Sequence, residues 1–260
     1  MNAVRIRYGS DAQNFGDLRV PPAPGPHPVV VVIHGGFWRA LYDLEYIEPV
    51  CDALTDAGAA TWNVEYRRLG NPGGGYPGTF HDVARAVDYV REFAPTYELD
   101  LSRVVTLGHS AGGHLAFWVA TRHRIPSDNP ILPRHSVPLA LCAAISLAGV
   151  VDLRASWKYH LSNQVVEEFI GGTPQELAER YAVASPKELL PLGIPQALVH
   201  GTEDENVPFE ISRAYHAAAV ARGDDVRLVT LPGAGHFECV DPRSREWLSV
   251  LDQARALIGT

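Results

Sequence analysis

Cysteine is scarce in this chain. Cys51, Cys142 and Cys239 are the three in 260 residues, an odd number with no CxxC spacing. That argues against a disulfide framework or a thiolate metal site, and the cysteines are expected as small buried apolar residues in a reduced, cytoplasmic setting. Long hydrophobic runs are missing as well. The longest, Leu139 to Val151, contains Ser146 and Gly149 and is too short to cross a bilayer, and the N-terminal MNAVRIRYGSDAQ lacks the apolar core of a secretory signal. No membrane association is expected. Nor is there an excess of positive charge: the formal net charge of -8 argues against a nucleic-acid groove. Metal and nucleotide motifs are absent too. There is no HExxH or clustered His/Asp spacing, and Gly233-Ala234-Gly235 is half a dinucleotide fingerprint with neither a third glycine nor a following βαβ unit. The expectation is a protein with no cofactor and a small-molecule substrate; its oligomeric state stays open, a homodimer included.

What the chain does have is ordinary globular material, 46% hydrophobic and 20% charged, in a length that one core can serve. A single domain over residues 1–260 is predicted. Two edge strands, Val4 to Tyr8 and Asp17 to Val20, precede Val29-Val30-Val31-Val32-Ile33, whose five consecutive β-branched residues mark a strand covered on both faces. Helical spacing follows over Asp43 to Ala57, with Pro49 as a kink or a delayed start. Ala59 to Tyr66 reads as a strand, Gly70 to Gly78 as a loop and Thr79 to Phe93 as a helix. Beyond a Pro-rich loop, Ile125 to Pro138, come strands at Cys142 to Leu147, Gln196 to His200 and Val226 to Leu231, with helices at Glu210 to Ala221 and Ser244 to Ile258. This rhythm predicts a mostly parallel, three-layer α/β sheet. Residues 152–191 read as an inserted helical stretch, expected as a small lid.

The chain is organised around Leu101 to Arg122. The apolar run Val104 to Leu107 meets Gly108-His109-Ser110-Ala111-Gly112, and a helix-like segment follows at once. A serine at such a strand-to-helix turn is held strained with its hydroxyl clear of the sheet, so Ser110 is the candidate nucleophile. Its hydroxyl needs a base, and the base a carboxylate, in the chain order serine, acid, histidine. The acid is sought in the turn Gly201 to Pro208, where Asp204, Glu203 and Glu205 compete by position. His236, after the last predicted strand and preceded by Gly233 and Gly235, is the base; His216 sits within a helix. Main-chain amides for an oxyanion are expected from Ala111 and from Gly36 or Phe37, in His34-Gly35-Gly36-Phe37-Trp38. His34 is expected to brace that loop. Trp38, Tyr76 and Phe80, with Phe37, are candidates for an apolar substrate wall.

Together, HGGFW, GHSAGG, GTEDENVP and GAGHFE resemble the α/β-hydrolase superfamily over nearly the whole chain. The resemblance implies the three-layer α/β-hydrolase fold with helices on both faces, selects Asp204 as the acid, and implies a Ser110-Asp204-His236 triad with no cofactor. HGGFW, Glu65-Tyr66-Arg67-Arg68 and GHSAGG are similar to the serine-dependent kynurenine formamidases and related small esterases. The implied function is an arylformamidase acting on N-formylkynurenine, or a short-chain carboxylesterase, working through an acyl-enzyme. A hydrolase-fold binding protein without turnover is the alternative, and it would be expected to carry a broken triad.

Overall fold

The computed structural model describes residues 3–134 and 137–259; residues 135 and 136 of the Pro-rich loop lie outside it. Its strands are β1 (Val4–Arg7), β2 (Phe15–Arg19), β3 (His27–Ile33), β4 (Ala60–Val64), β5 (Leu99–His109), β6 (Ala143–Leu147), β7 (Gln196–Gly201) and β8 (Val226–Leu231). They form one sheet in the order β1-β2-β4-β3-β5-β6-β7-β8. β2 runs antiparallel to β1 and β4, and every other pairing is parallel. This is the predicted mostly parallel α/β-hydrolase sheet.

Side chains alternate across a strand, so a run apolar at every position must be covered on both sides. In β3, Val29, Val31 and Ile33 enter a core with α2 (Gly78–Asp88) and α4 (Ala111–Ala120). Val30 and Val32 enter a second core with α1 (Glu48–Asp56) and α9 (Trp247–Ile258). Three layers result. Parallel strands joined through helices bring the C-terminal ends of β3, β5, β7 and β8 to the same edge, which is where the motifs sit.

Helix boundaries differ from the sequence reading where backbone chemistry intervenes. The segment 43–57 begins as a 3₁₀ turn at Leu44–Ile47, and α1 then starts with Pro49 in its first turn, where the missing N–H costs nothing. The predicted helix 79–93 divides at Tyr89 into α2 and α3 (Val90–Phe93). The closing helix starts at Trp247, whose N–H is accepted by Ser244 Oγ at 3.1 Å. No helix among the described residues is long and apolar enough to cross a membrane.

Residues 152–191, expected as a lid, pack closely on the sheet. Residues 152–191 form α5 (Leu153–Lys158), α6 (Val165–Ile170), α7 (Ala178–Ala184) and a 3₁₀ turn, followed by α8 (Phe209–Ala221) after β7. Val165, Val166, Phe169 and Ile170 are fully buried in the larger core. Phe169 stacks on Trp38 at 4.4 Å between ring centroids and lies 5.2 Å from the Phe80 ring. The apolar stripe of α6 thus takes other core residues as its partners. Phe169→Ala should therefore destabilise the whole domain by about 3–5 kcal/mol, measured by urea unfolding. A loss under about 1 kcal/mol, the scale of a surface change, would mean a loosely attached segment.

Candidate active site

Ser110 stands between β5 and α4 with φ 57° and ψ -120°, a conformation that L residues avoid. Its neighbours make the turn possible. A Cβ on Gly108 would lie 2.0 Å from the Gly112 carbonyl oxygen, and one on Gly112 would lie 2.0 Å from that of Ile33. Only glycine fits either place. The Ser110 N–H donates to the Leu147 carbonyl at 2.8 Å and its carbonyl accepts from Val150 N–H at 3.2 Å, so β6 holds the turn from the side.

Asp204 follows β7, and His236 follows β8. The two loops are stitched together: Glu203 N–H donates to Ala234 O at 2.9 Å, Thr202 N–H to Leu231 O at 3.1 Å, and Gly233 N–H to Thr202 Oγ1 at 2.9 Å. That registration turns Asp204 inward, with a fully buried side chain, and leaves Glu203 and Glu205 exposed. His236 Nδ1 donates to Asp204 Oδ2 at 2.6 Å. His200 Nε2 approaches the same oxygen at 3.0 Å, while Asn206 and Val207 N–H groups both donate to Oδ1 at 2.8 Å. Burial alone would raise the Asp204 pKa, but hydrogen bonds from His200 and His236 outweigh it and hold the carboxyl well below its usual range. An imidazole fixed at Nδ1 by a carboxylate keeps Nε2 as the nitrogen able to take a proton.

The loop after β3 carries three successive positive φ angles, Gly36 at 99°, Phe37 at 52° and Trp38 at 53°. Trp38 anchors it: the indole is fully buried between Phe169 and His114, and the Trp38 carbonyl accepts from Leu69 N–H at 2.8 Å. His34 braces it from the other side. Its Nε2 lies 3.1 Å from Glu65 Oε1, its ring stacks on Tyr66 at 4.5 Å, and its carbonyl accepts from Tyr66 Oη at 2.7 Å. Glu65 is held in turn by Arg68 at 2.9 Å, so the Glu65-Tyr66-Arg67-Arg68 segment is the buttress of this loop. Gly35 N–H is engaged by the Tyr46 hydroxyl at 2.5 Å, which leaves Gly36 and Phe37 as the loop's candidate oxyanion donors. Across from them Ala111, the first residue of α4, has an N–H with no intrahelical acceptor.

Ser110 and His236 line one cleft of about 950 Å³, together with Gly36, Phe37, Tyr46 and His109. Its outer walls come from Tyr42 and the α1 face on one side, and from Phe237 and Val240 to Arg243 on the other. Two expected wall residues are elsewhere: Trp38 and Phe80 are fully buried in the core and do not reach the cleft. Tyr76 does not line it either; it packs against Phe80 and under the Arg180 guanidinium, 4.6 Å from the ring centre. Their places are taken by Tyr42 and Phe237, which the sequence reading passed over although both stand beside its glycine motifs. His200, His109 and Tyr46 were also passed over. Spacing offers a signal for His200, four residues before Asp204 at a strand end, and for His109, which adjoins the nucleophile position; Tyr46 has none. Among the described residues no group of three or more His, Cys, Asp or Glu is placed to hold a metal ion.

A serine at the β5–α4 turn, a carboxylate after β7 and a histidine after β8, on an eight-stranded sheet in this order, place the chain in the α/β-hydrolase fold. The chain belongs to the BD-FAE family, which matches residues 17–218. Among curated proteins it is 29% identical over 245 residues to Esterase LipQ of Mycobacterium tuberculosis, an alignment covering 89% of this chain and 56% of that protein. It is also 24% identical over 241 residues to a probable isoprenylcysteine alpha-carbonyl methylesterase of Oryza sativa subsp. japonica, covering 90% and 57%. The chain thus spans little more than half the length of these curated relatives. Among solved structures, the thermophilic esterase Est2 of Thermogutta terrifontis superposes with a TM-score of 0.80 at 23% identity, covering 99% of this chain and 94% of that one. At that identity the likeness concerns the fold.

The hydrogen bonds on Asp204 tie stability to pH with a definite sign. Above the ordinary carboxylate value of 3.8 the group is ionised in both folded and unfolded chains, and its native hydrogen bonds count in full. Below that value the unfolded chain takes up a proton that folded Asp204 resists, and the advantage is lost. The stability difference between wild type and Asp204→Asn, from urea midpoints, should be largest near pH 6 and shrink towards pH 3. A difference that stays level over this range would deny the depressed pKa.

Proposed function

We propose that the protein is a serine carboxylesterase in which Ser110 attacks the ester carbonyl. His236 takes the hydroxyl proton, returns it to the departing alcohol, and then activates the water that releases the acid. Asp204 holds the imidazole tautomer. Amides of Ala111 and of Gly36 or Phe37 receive the developing oxyanion, each donor contributing about 3 to 4 kcal/mol. The observation that carries the reading is the Asp204–His236 pair at 2.6 Å, whose imidazole lines the same cleft as a serine in a strained strand-to-helix turn. The similarity to an esterase and to a probable methylesterase supports ester substrates.

An arylformamide is the second reading. It is favoured by the aromatic cleft walls, Phe37, Tyr42 and Phe237, and by the HGGFW and GHSAGG segments. The cysteines suit neither the nucleophile's role nor a disulfide. Cys51 and Cys239 are buried, all three are unpaired, and burial pushes the Cys51 thiol up to about 12. A reducing cytoplasmic compartment is in keeping with that.

Ser110→Ala should lower p-nitrophenyl acetate turnover by roughly 10⁴-fold or more without loss of folding, and a fluorophosphonate probe should label wild type alone. Near-normal turnover or equal labelling of the variant would remove Ser110 from its role. Between the two substrate readings, kcat/KM for short aryl esters above that for N-formylkynurenine is expected; a strong preference for the formamide would reverse the assignment.

A further inference from the structure

Tyr46 and His109 form a hydrogen-bonded chain that touches both halves of the site, and its direction is forced by chemistry. At one end the donor is the Gly35 amide, which reaches Tyr46 Oη at 2.5 Å. At the other the acceptor is the His236 carbonyl, 3.0 Å from His109 Nε2. An amide N–H cannot accept and a carbonyl cannot donate. His109 must therefore carry its hydrogen on Nε2, and Tyr46 Oη donates its own hydrogen to His109 Nδ1 across 2.9 Å. Burial, reinforced by the neighbouring His236, pushes the His109 pKa down to about 3, so the ring is neutral and Nδ1 is free to accept. Burial likewise drives the Tyr46 phenol upward, so it keeps the proton it donates. Every atom in the chain has one workable role.

Position gives the chain its meaning. Gly35 precedes the candidate oxyanion donors Gly36 and Phe37, and a Cβ on it would lie 2.9 Å from Ser110 Cβ. His109 precedes Ser110 in the strained turn, and its ring centroid is 4.6 Å from that of His236. The His236 side chain is held by Asp204, whereas its main chain is held by His109. We propose that Tyr46 and His109 are positioning residues of the hydrolytic site: they lock the amide cradle, the Ser110 turn and the His236 loop at fixed spacing through the bonds Gly35 N–H to Tyr46, Tyr46 to His109 and His109 to the His236 carbonyl. The proposal rests on the esterase reading above. Neither side chain exchanges a proton with substrate; both act through the groups they hold.

Tyr46→Phe keeps the ring and removes both of its polar contacts. His109→Gln keeps a donor for the His236 carbonyl, and His109→Ala removes it. Displacement on the order of 1 Å at a reacting centre costs up to about 100-fold. For p-nitrophenyl acetate, Tyr46→Phe should accordingly lose about 10- to 100-fold in kcat per fluorophosphonate-titrated site, with KM within about threefold of wild type. His109→Gln should retain more of kcat than His109→Ala. A purely structural role predicts otherwise: fewer titratable sites and a lower Tm, with normal kcat for each site that remains. If wild type is active and titratable but folded Tyr46→Phe and His109→Ala both keep kcat per site within twofold, the positioning proposal is overturned and the esterase reading stands. If wild type neither turns over nor labels, the esterase reading fails and the proposal falls with it. Should Tyr46→Phe not fold, the order of the two His109 variants decides the question: Gln at or below Ala overturns it.

Discussion

The Asp204 carboxylate sits where water does not reach, and everything at this edge of the sheet is arranged around keeping it charged there. A bare buried carboxylate costs several kcal/mol, so its oxygens must be saturated. Donors come from separate places in the chain: His200 from β7, Asn206 and Val207 from the turn, and His236 from the loop beyond β8. Satisfying one charge thus fixes the relative placement of two strand ends. His200 extends the constraint outward. Its Nε2 faces two acceptors, Asp204 Oδ2 and Val207 O, and so carries the hydrogen, while Nδ1 lies 2.7 Å from Ser212 Oγ on α8. A helix on the flank is thereby coupled to the acid, and through it to the imidazole.

Backbone strain is present at two turns of the candidate site. Ser110, Phe37 and Trp38 each hold a positive φ, at about 1–3 kcal/mol apiece. Such conformations persist only where surrounding packing over-determines them. For Ser110 the restraint is β6 together with the glycines that allow α4 to approach β3. For the Gly36–Trp38 turn it is the Trp38 indole, set among Phe169 and His114, with His34 and Glu65 behind it. The core helices of residues 152–191 therefore support the site from below through Phe169. Their distance from the cleft does not make them irrelevant to it.

The sheet was legible because its signals are local. Five β-branched residues in a row can only be a strand covered twice, and the glycines flanking Ser110 have no rationale except close backbone approach. His236 was legible for the same reason, as a histidine after flexible glycines at a strand end. Asp204 was not separable from Glu203 and Glu205 by position, because what separates them is tertiary: the hydrogen bonds of Glu203 N–H to Ala234 O and of Gly233 N–H to Thr202 Oγ1 register the turn against the loop after β8, with Asp204 inward. The aromatic wall misled for a related reason. Composition shows that Trp38 and Phe80 lie beside loops; it does not show which way a ring points, and burying a large ring in the core is the stronger tendency. Core and lid helices share one periodicity, so the stripe Val165, Val166, Phe169 and Ile170 does not by itself tell them apart.

The absence of those helices from the cleft has a mechanistic consequence. A site closed by a lid can assemble its donors as the substrate binds and can exclude water by the same movement. This cleft is walled by the α1 face and by the chain after β8, both attached to the smaller core, and no segment of residues 152–191 lines it. In the proposed reaction, then, the amides that meet the oxyanion have to be in place before substrate arrives, because dipoles that reorient during the reaction give back much of what they contribute. Rigidity must come from beneath and from the sides. The Trp38 anchor supplies it from beneath, and the His34–Glu65 brace and the Tyr46–His109 chain from the sides.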